Sequence, residues 1–197
     1  MSNRVETAGL HDKFDKADFD IIVPAISHSK EWRSLSPFYL GPCRVRDGMF
    51  HNLENLWQFS KVYTHLGHLS VRNGITEAWY NWYSRGMKLT EAQRYPAGRY
   101  QKPAFSYYRG KRLSYVTARK LIYIPYYAHL AAQTDEFKRI RAEYDKGARV
   151  IIQDFDCYQT DKPLDEIIED PLRSMGHGFV LAAMLEQGST FYQRLIV

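Results

Sequence analysis

Residues 43–65 read CRVRDGMFHNLENLWQFSKVYTH and place a strand, a turn and a helix in direct succession. Residues 43–47 are typical of a short strand, and the Asp47-Gly48 pair is a turn signal that closes it, so that a helix should follow at once. Asn52 can cap a helix from Leu53 to His65, because its side-chain oxygen can accept from backbone N–H groups of the first turn. The stretch favours an α+β fold, mainly α-helical, in which a few short strands frame a cleft.

The predicted helix carries a polar stripe. At about 100° per residue, Glu54, Gln58 and Lys61 fall at roughly 0°, 40° and −20°, which places them on one face. The opposite side is apolar and can anchor the helix in the core. A stripe of this composition usually forms a solvated face with an ion pair, and periodicity alone does not distinguish that arrangement from a face that lines a cleft.

Two later segments are typical of a site at the end of a strand. Arg149 to Phe155 contains three β-branched residues in succession, which favours a buried strand whose end delivers Asp154 and Asp156. Gly176-His177-Gly178 opens an apolar helix, where backbone N–H groups and the helix dipole can hold a pyrophosphate, although glycines at a helix start are common without any ligand. Two acids without a third ligand more often mark a strand end than a metal site, so no metal is assigned.

The stretch from Arg94 to Arg112 interleaves cations with aromatic rings and predicts a long surface loop. Such a loop can pair phosphates with charge while bases stack on the rings, which makes Tyr107, Arg109, Lys111 and Arg112 candidates for nucleic-acid binding. The alternative, weighed equally, is a solvated loop whose tyrosines fold back onto the core.

The rest of the chain predicts a single domain over residues 1–197, with residues 1–17 as a peripheral arm. The remaining expectations are a strand at Phe19–Ala25, a loop at Trp32–Pro42, helices at Ile75–Met87 and Thr134–Tyr144, a helical or extended segment at Val116–Pro125, and a final strand or docking segment at Phe191–Val197.

Composition limits the class of protein. Lys and Arg number 27 against 22 acids, an excess that attracts a polyanion without resembling a DNA-binding tail. Two cysteines, Cys43 and Cys157, are too few for a disulfide framework and favour a reducing compartment. The apolar runs fall short of the roughly 20 residues that a bilayer requires, so we expect a cytoplasmic protein with no membrane partner.

Three segments together resemble the N-terminal signature of the NADAR family: Leu35-Ser36-Pro37-Phe38, Asp47-Gly48 and the run from Glu54 to Lys61. In that family an F-S-N-F-type loop precedes a D-G turn and a helix that reads E-H-x-x-Q-x-x-K. Glu54, Gln58 and Lys61 match at the same spacing. The chain departs from the pattern at Pro37, where the family has Asn, at Asn55, where it has His, and in a D-G-to-Glu interval one residue shorter.

The later family motifs have weaker counterparts. The family's acid before W-G corresponds in place to Asp154 or Asp156, without the W-G, and its last turn corresponds to Gly176-His177-Gly178. Trp79 and Trp82 are candidates for the family's catalytic Trp, although a core role is more typical of each.

The resemblance implies an N-glycosidase that cleaves an ADP-ribose-type bond without a cofactor. Glu54 would stabilise the oxocarbenium-like centre or act as a transient nucleophile, and Asp154 or Asp156 would activate water. Lys61 would bind phosphate or tune Glu54. The implied substrate contacts are Ser36, Phe38, Trp57, Gln58, Lys61, Gly176, His177 and Gly178.

The expected partner is an ADP-ribose-containing substrate, in particular ADP-ribosylated DNA or RNA, which would make the reaction the reversal of a toxin or phage-defence mark. Two alternatives remain open from the sequence. One is an N-glycosidase of small nucleotide or ribosylamine metabolites, and the other is a non-catalytic module that binds nucleic acid or a nucleotide.

Overall fold

Helices and three small sheets alternate along the chain in the computed structural model, which describes residues 4–195. The strands are β1 (Val5–Gly9), β2 (Ile21–Pro24), β3 (Cys43–Val45), β4 (Gly48–Phe50), β5 (Lys61–Val62), β6 (Phe105–Tyr108), β7 (Lys111–Leu113) and β8 (Val150–Asp154). The helices are α1 (Leu53–Phe59), α2 (Glu77–Lys88), α3 (Tyr115–Ala118), α4 (Ile124–Ala131), α5 (Asp135–Asp145), α6 (Leu164–Glu169) and α7 (His177–Gln187). Helices account for 41% of the chain and strands for 16%, so the fold is α+β.

The first sheet has β8 at its centre, with β1 and β2 paired to it in parallel on either side. Its middle position explains the run of β-branched residues, because a strand covered on both faces has no solvent side to keep polar. Asp154 ends the strand at the carboxyl edge of the sheet, where side chains of α/β sheets commonly meet a ligand. The buried strand predicted from Arg149 to Phe155 is confirmed.

The N-terminal segment is part of this sheet. The predicted peripheral arm over residues 1–17 is wrong for β1, whose Val5 and Ala8 are buried; residues 1–3 lie outside the described part of the chain. The strand is only five residues long, so its place depends on hydrogen bonds to a strand that begins 145 residues after Val5. A single-sequence pattern does not contain that pairing.

The Asp47-Gly48 turn closes a β hairpin instead of leading directly into a helix. Strands β3 and β4 pair antiparallel, with Cys43 opposite Phe50, and α1 begins only after Asn52. The helix itself is shorter than predicted and ends at Phe59. The backbone N–H of Ser60 still bonds to Leu56, but the next two residues leave the helix to pair with β6 as β5.

The predicted loop at Arg94–Arg112 is irregular only up to residue 104. Beyond it, β6 and β7 form a hairpin whose two-residue turn is Arg109-Gly110, both with positive φ (50° and 78°). Arg is an unusual first residue for such a turn, which is why the composition did not reveal the hairpin.

Helices α2 and α5 confirm the periodic segments, and the Thr134 hydroxyl caps α5 by accepting from the Phe137 N–H at 3.1 Å. A π-helical segment, Arg119–Tyr123, joins α3 to α4 without a break. Of the two alternatives predicted for Phe191–Val197, the strand is wrong and the docking segment fits, because Phe191–Leu195 is a 3₁₀ helix that packs against α4 and α7; residues 196–197 are not described. Within residues 4–195, no helix has the length and apolarity to cross a bilayer.

Candidate active site

A cleft of about 520 Å³ opens where α1, the end of β8, the start of α7 and the α3–α4 helix face one another. Most of the predicted site residues lie in its wall. These are Ser36, Phe38, Glu54, Trp57, Gln58, Lys61, Asp154, Asp156 and His177. The cleft therefore brings together residues from three distant parts of the sequence.

The first turn of α1 is fixed from both sides. The Asn52 side chain caps the helix by accepting from the Asn55 N–H at 2.9 Å, as predicted. The N–H of Glu54, which has no partner within its own helix, donates to the Pro37 carbonyl at 3.0 Å. This bond holds the Ser36–Phe38 loop against the helix start and places both parts of the signature in one wall of the cleft.

Glu54, Gln58 and Lys61 form a hydrogen-bonded chain inside the cleft. The Lys61 ammonium donates to Gln58 Oε1 at 2.8 Å, and Gln58 Nε2 donates to Glu54 Oε1 at 2.8 Å. The order of donors is self-consistent, because an ammonium can only donate and so directs the amide nitrogen toward the carboxylate. Glu54 is 7% exposed, so the stripe lines a cleft and is not a solvated face.

Burial shifts the acid–base properties of both ends of this chain. It raises the pKa of Glu54, against the opposing effects of the Gln58 amide and the positive charges of Lys61 and Arg94. It lowers the pKa of Lys61 to about 8, against the opposing charges of Glu54 and Asp156. A carboxylic acid and an amine displaced toward neutral pH in one cleft are typical of acid–base chemistry.

Asp154 is enclosed by donors from the start of α7. It is 3% exposed, and its Oδ2 lies 3.1 Å from His177 Nδ1 and 3.3 Å from the Gly178 N–H, which donates to it. The other ring nitrogen of His177 contacts the Ala25 carbonyl, which can only accept. Nε2 is therefore the nitrogen that donates to Ala25, and Nδ1 is the one that faces the Asp154 carboxyl.

The backbone N–H groups of the glycine turn donate to groups of the protein itself, Gly178 to the Asp154 carboxylate and Gly176 to the Asp156 carbonyl. Gly176 and Gly178 are buried behind the cleft wall, and a Cβ added to Gly178 would lie 2.6 Å from Cys157 Sγ. The N–H of Gly176 donates to the Asp156 carbonyl at 3.0 Å. The pyrophosphate predicted at Gly176-His177-Gly178 is thus replaced by Asp154, which supplies the negative charge favoured at a helix N-terminus.

Asp156 differs from Asp154 in its surroundings. It is exposed at the rim of the cleft, two residues beyond the end of the strand. Partial burial and the neighbouring charge of Asp154 raise its pKa, whereas Arg94, His177 and a hydrogen bond from Ser174 act in the opposite direction. Its carboxylate can reach water, whereas that of Asp154 is buried and its Oδ2 already has protein partners.

One wall of the cleft, formed by Tyr115, Arg119 and Tyr123, was not predicted from the sequence. Their four-residue spacing is the signal that was available, since residues four apart share a face of a helix. Arg119 is buried under the Tyr115 ring, 4.1 Å from its centroid, and donates to the Ile168 carbonyl at 3.0 Å. The π-helical turn lies in this wall, and such turns are frequent at functional sites.

Asn55, which stands where the family has His, binds the loop that follows α2. Its amide nitrogen donates to the carbonyls of Leu89 and Glu91, both at 3.0 Å, and its oxygen accepts from the Gln93 N–H at 2.8 Å. The next residue, Arg94, reaches the cleft with its guanidinium 5.1 Å from the Phe155 ring centroid. Asn55 therefore determines where Arg94 enters the site.

The predicted nucleic-acid-binding residues Tyr107, Arg109, Lys111 and Arg112 lie on the β6–β7 hairpin, outside the cleft wall. The Tyr107 ring packs edge-on against Trp79 at 5.0 Å, and Arg112 donates to the Asn73 carbonyl. Trp79 and Trp82, the candidates for the family's Trp, are 3% and 8% exposed and belong to the core. Trp57 is the tryptophan that lines the cleft, with the Lys61 ammonium 4.9 Å from its ring centroid.

Comparisons of the chain with family models, with curated proteins and with solved structures find no match. The NADAR resemblance therefore remains a prediction from the motif between Leu35 and Lys61.

Proposed function

We propose that the protein is an N-glycosidase, a divergent relative of the NADAR fold, that removes ADP-ribose from modified nucleic acid. The observation that carries the proposal is the chain from Lys61 through Gln58 to Glu54, which lies in one cleft with Asp156. The motif that resembles the family thus coincides with a buried, hydrogen-bonded carboxyl group. A solvated stripe would have no reason to combine these properties.

Glu54 is the group that faces the developing positive charge. Cleavage of an N-glycosidic bond gives C1′ oxocarbenium character, which a nearby carboxylate stabilises strongly where water is excluded. Within the described residues, the side-chain donor to the Glu54 carboxylate is Gln58, and it uses Oε1. The second oxygen, Oε2, is the one we assign to the sugar.

Asp156 is the better candidate for the base that activates water. Asp154 already faces His177 and the Gly178 N–H, whereas Asp156 is exposed at the rim and has a raised pKa. A base with a pKa nearer neutrality accepts a proton more effectively. In the proposed step, a water proton moves to Asp156, the water oxygen bonds to C1′, and the C1′–N bond breaks with its electron pair going to the base nitrogen.

The substrate assignment rests on the size and lining of the cleft. Its volume of about 520 Å³ suits one nucleotide-sized group. Arg94 and Lys61 can pair with a pyrophosphate, and the rings of Trp57 and Tyr115 can stack on a base. The net charge of +5 favours a polyanionic substrate over a neutral one.

A second candidate is an N-glycosidase of small nucleotides or ribosylamines. It is favoured by one observation, that the cations Arg109, Lys111 and Arg112 are not part of the cleft wall. This enzyme would need the same carboxyl groups and no surface for a strand.

The test compares Glu54→Gln with the unsubstituted protein on ADP-ribosylated DNA, ADP-ribosylated protein and free NAD. Gln keeps an oxygen that accepts from Gln58 but removes the charge, and loss of such a group lowers turnover by about 10³-fold. Glu186→Gln is the matched control, since Glu186 is also a glutamate with a raised pKa but lies outside the cleft.

Each outcome separates the candidates. Release of ADP-ribose from DNA that is lost in Glu54→Gln and kept in Glu186→Gln supports the proposal. Turnover of free nucleotides alone would establish the small-molecule enzyme in its place. Binding of nucleic acid with no turnover of any substrate would identify a non-catalytic module, and undiminished turnover in Glu54→Gln would remove Glu54 from the mechanism.

A further inference from the structure

A second cavity, of about 580 Å³, adjoins the cleft and shares part of its wall. The shared residues are Gln58, Lys61 and Tyr95, and the rest of its lining comes from Tyr63 and residues 97–103. Lys61 therefore faces both cavities, with Glu54 on one side and the 97–103 loop on the other. A ligand whose reacting sugar sits in the cleft can continue into this second cavity without crossing the core.

The second cavity has the charge expected for a phosphodiester backbone. Among the described residues that line it are three cations, Lys61, Arg99 and Lys102, and none is acidic. A neighbouring cation, Arg94, lies 5.3 Å from the Tyr95 ring centroid on the cleft side. Cations along one groove attract a polyanion and release its counterions on binding.

Aromatic rings stand beside these cations. Tyr100 is 93% exposed, and Tyr95 is 49% exposed with the Arg99 guanidinium 5.7 Å from its ring centroid. Tyr100 has a φ of 64°, a conformation that residues other than glycine adopt rarely. Exposed rings next to cations are the arrangement on which successive bases of a single strand stack.

We infer that this cationic groove, formed by Lys61, Tyr95, Arg99, Tyr100 and Lys102, binds the single-stranded polynucleotide next to the modified nucleotide; the inference rests on the proposed function. A single strand fits better than a duplex, because only unpaired bases present their faces to Tyr95 and Tyr100. The groove replaces the β6–β7 hairpin as the nucleic-acid surface of the protein.

Two other surfaces fit a polynucleotide less well. On the hairpin, Arg112 lies over the Phe105 ring and donates to the Asn73 carbonyl, so its donors are partly engaged. A cavity of about 680 Å³ beside β1 and α7 carries Glu6, Asp161 and Glu186 but only one cation, Lys162. The acidic residues of that cavity would repel a polyanion. The hairpin, for its part, shares no lining residue with the cleft that holds Glu54.

The test measures binding of an unmodified single-stranded DNA of about ten nucleotides by fluorescence anisotropy. The groove variant is Arg99→Glu with Lys102→Glu, and the matched hairpin variant is Arg109→Glu with Lys111→Glu; all four positions are exposed. We expect Kd to rise at least about tenfold in the groove variant, with a smaller salt dependence, and to change less than about twofold in the hairpin variant. Tyr100→Ala should weaken binding by about tenfold without changing the salt dependence.

Equal losses in the two charge variants, or a larger loss in the hairpin variant, would overturn the groove. So would hydrolysis of a modified strand by the groove variant with an unchanged KM. If the groove variant loses strand binding but no form of the protein hydrolyses modified DNA, the groove stands and the glycosidase proposal fails. Circular dichroism of each variant verifies that binding losses do not come from unfolding.

Discussion

The two acid-bearing walls of the cleft differ in what surrounds the carboxyl group. Glu54, on α1, receives one amide hydrogen bond and shares its cavity with Lys61 and Arg94. Asp154, at the end of β8, is enclosed by His177 and the Gly178 N–H. Both groups are buried, so burial alone does not identify the reacting acid. The surroundings of the engaged oxygen differ, because Asp154 Oδ2 faces both His177 and the Gly178 N–H, whereas Glu54 Oε1 accepts from Gln58.

The largest expected difference between the two carboxyl groups is in stability, and Asp154→Asn tests it. We expect this change to destabilise the protein by about 3–5 kcal/mol, since it disrupts the buried contact with His177 and leaves an amide nitrogen facing donors. The urea midpoint of unfolding measures the effect. Glu54→Gln serves as the contrast and should leave that midpoint unchanged or higher at neutral pH, because it removes a carboxylate that burial disfavours.

The same pair of variants has a pH signature. The pKa of Glu54 is raised above its ordinary value of 4.5. Between pH 4.5 and the pKa of the folded state, the folded protein therefore holds a proton on Glu54 that the unfolded chain has lost. This contribution to stability is complete below pH 4.5 and disappears as the pH rises through the folded pKa. Glu54→Gln should lack that decline. An identical decline in the variant would show that Glu54 is not the titrating group.

Asp156→Asn sharpens the distinction between the two aspartates. Asp156 is the proposed base, so its replacement should lower kcat by about 100-fold. Stability should change little, because the side chain is exposed at the rim. Single-turnover release of ADP-ribose measures the rate. If Asp156→Asn retains full activity while a folded Asp154 variant has none, the two roles must be exchanged.

Lys61→Arg has the smallest expected effect and concerns the alkaline limit of activity. The pKa of Lys61 is lowered from 10.5 to about 8, so the cation beside Gln58 is lost as the pH rises through about 8 and activity should fall there. Arg stays charged throughout, and the fall should move upward by about one pH unit or more. A pH–rate profile of both proteins measures the pH at which activity falls. If that pH is the same in the two proteins, the fall comes from a group other than Lys61.

The parts of the site that the sequence predicted are local. Asn52, Glu54 and Gln58 lie within seven residues, and helical geometry alone places the last two on one face. Lys61 was predicted to share the helix, which ends before it, yet its long side chain still reaches Gln58. The predicted common side of Glu54, Gln58 and Lys61 is therefore right, although the helix predicted to carry all three is too long.

The parts that the sequence did not predict depend on distant pairings. His177 meets Asp154 and the Ala25 carbonyl, which are 23 and 152 residues away along the chain. The glycines around His177 were read as a phosphate loop because a helix N-terminus attracts any negative charge, and the pattern does not reveal that the charge is internal. Asn55 likewise resembled a departure from the family motif until its three backbone partners were seen.

The central place of β8 also determines when the cleft can form during synthesis of the chain. Both neighbours of β8 are made first, β1 and β2 by residue 24, and neither has a parallel partner until residues 150–154 leave the ribosome. Glu54 is translated early, but the wall that carries Asp154, Asp156 and His177 follows about 100 residues later. A chain that stops before residue 150 therefore carries the helix with Glu54 but lacks the wall that faces it, and the cleft forms only once β8 and α7 have been made.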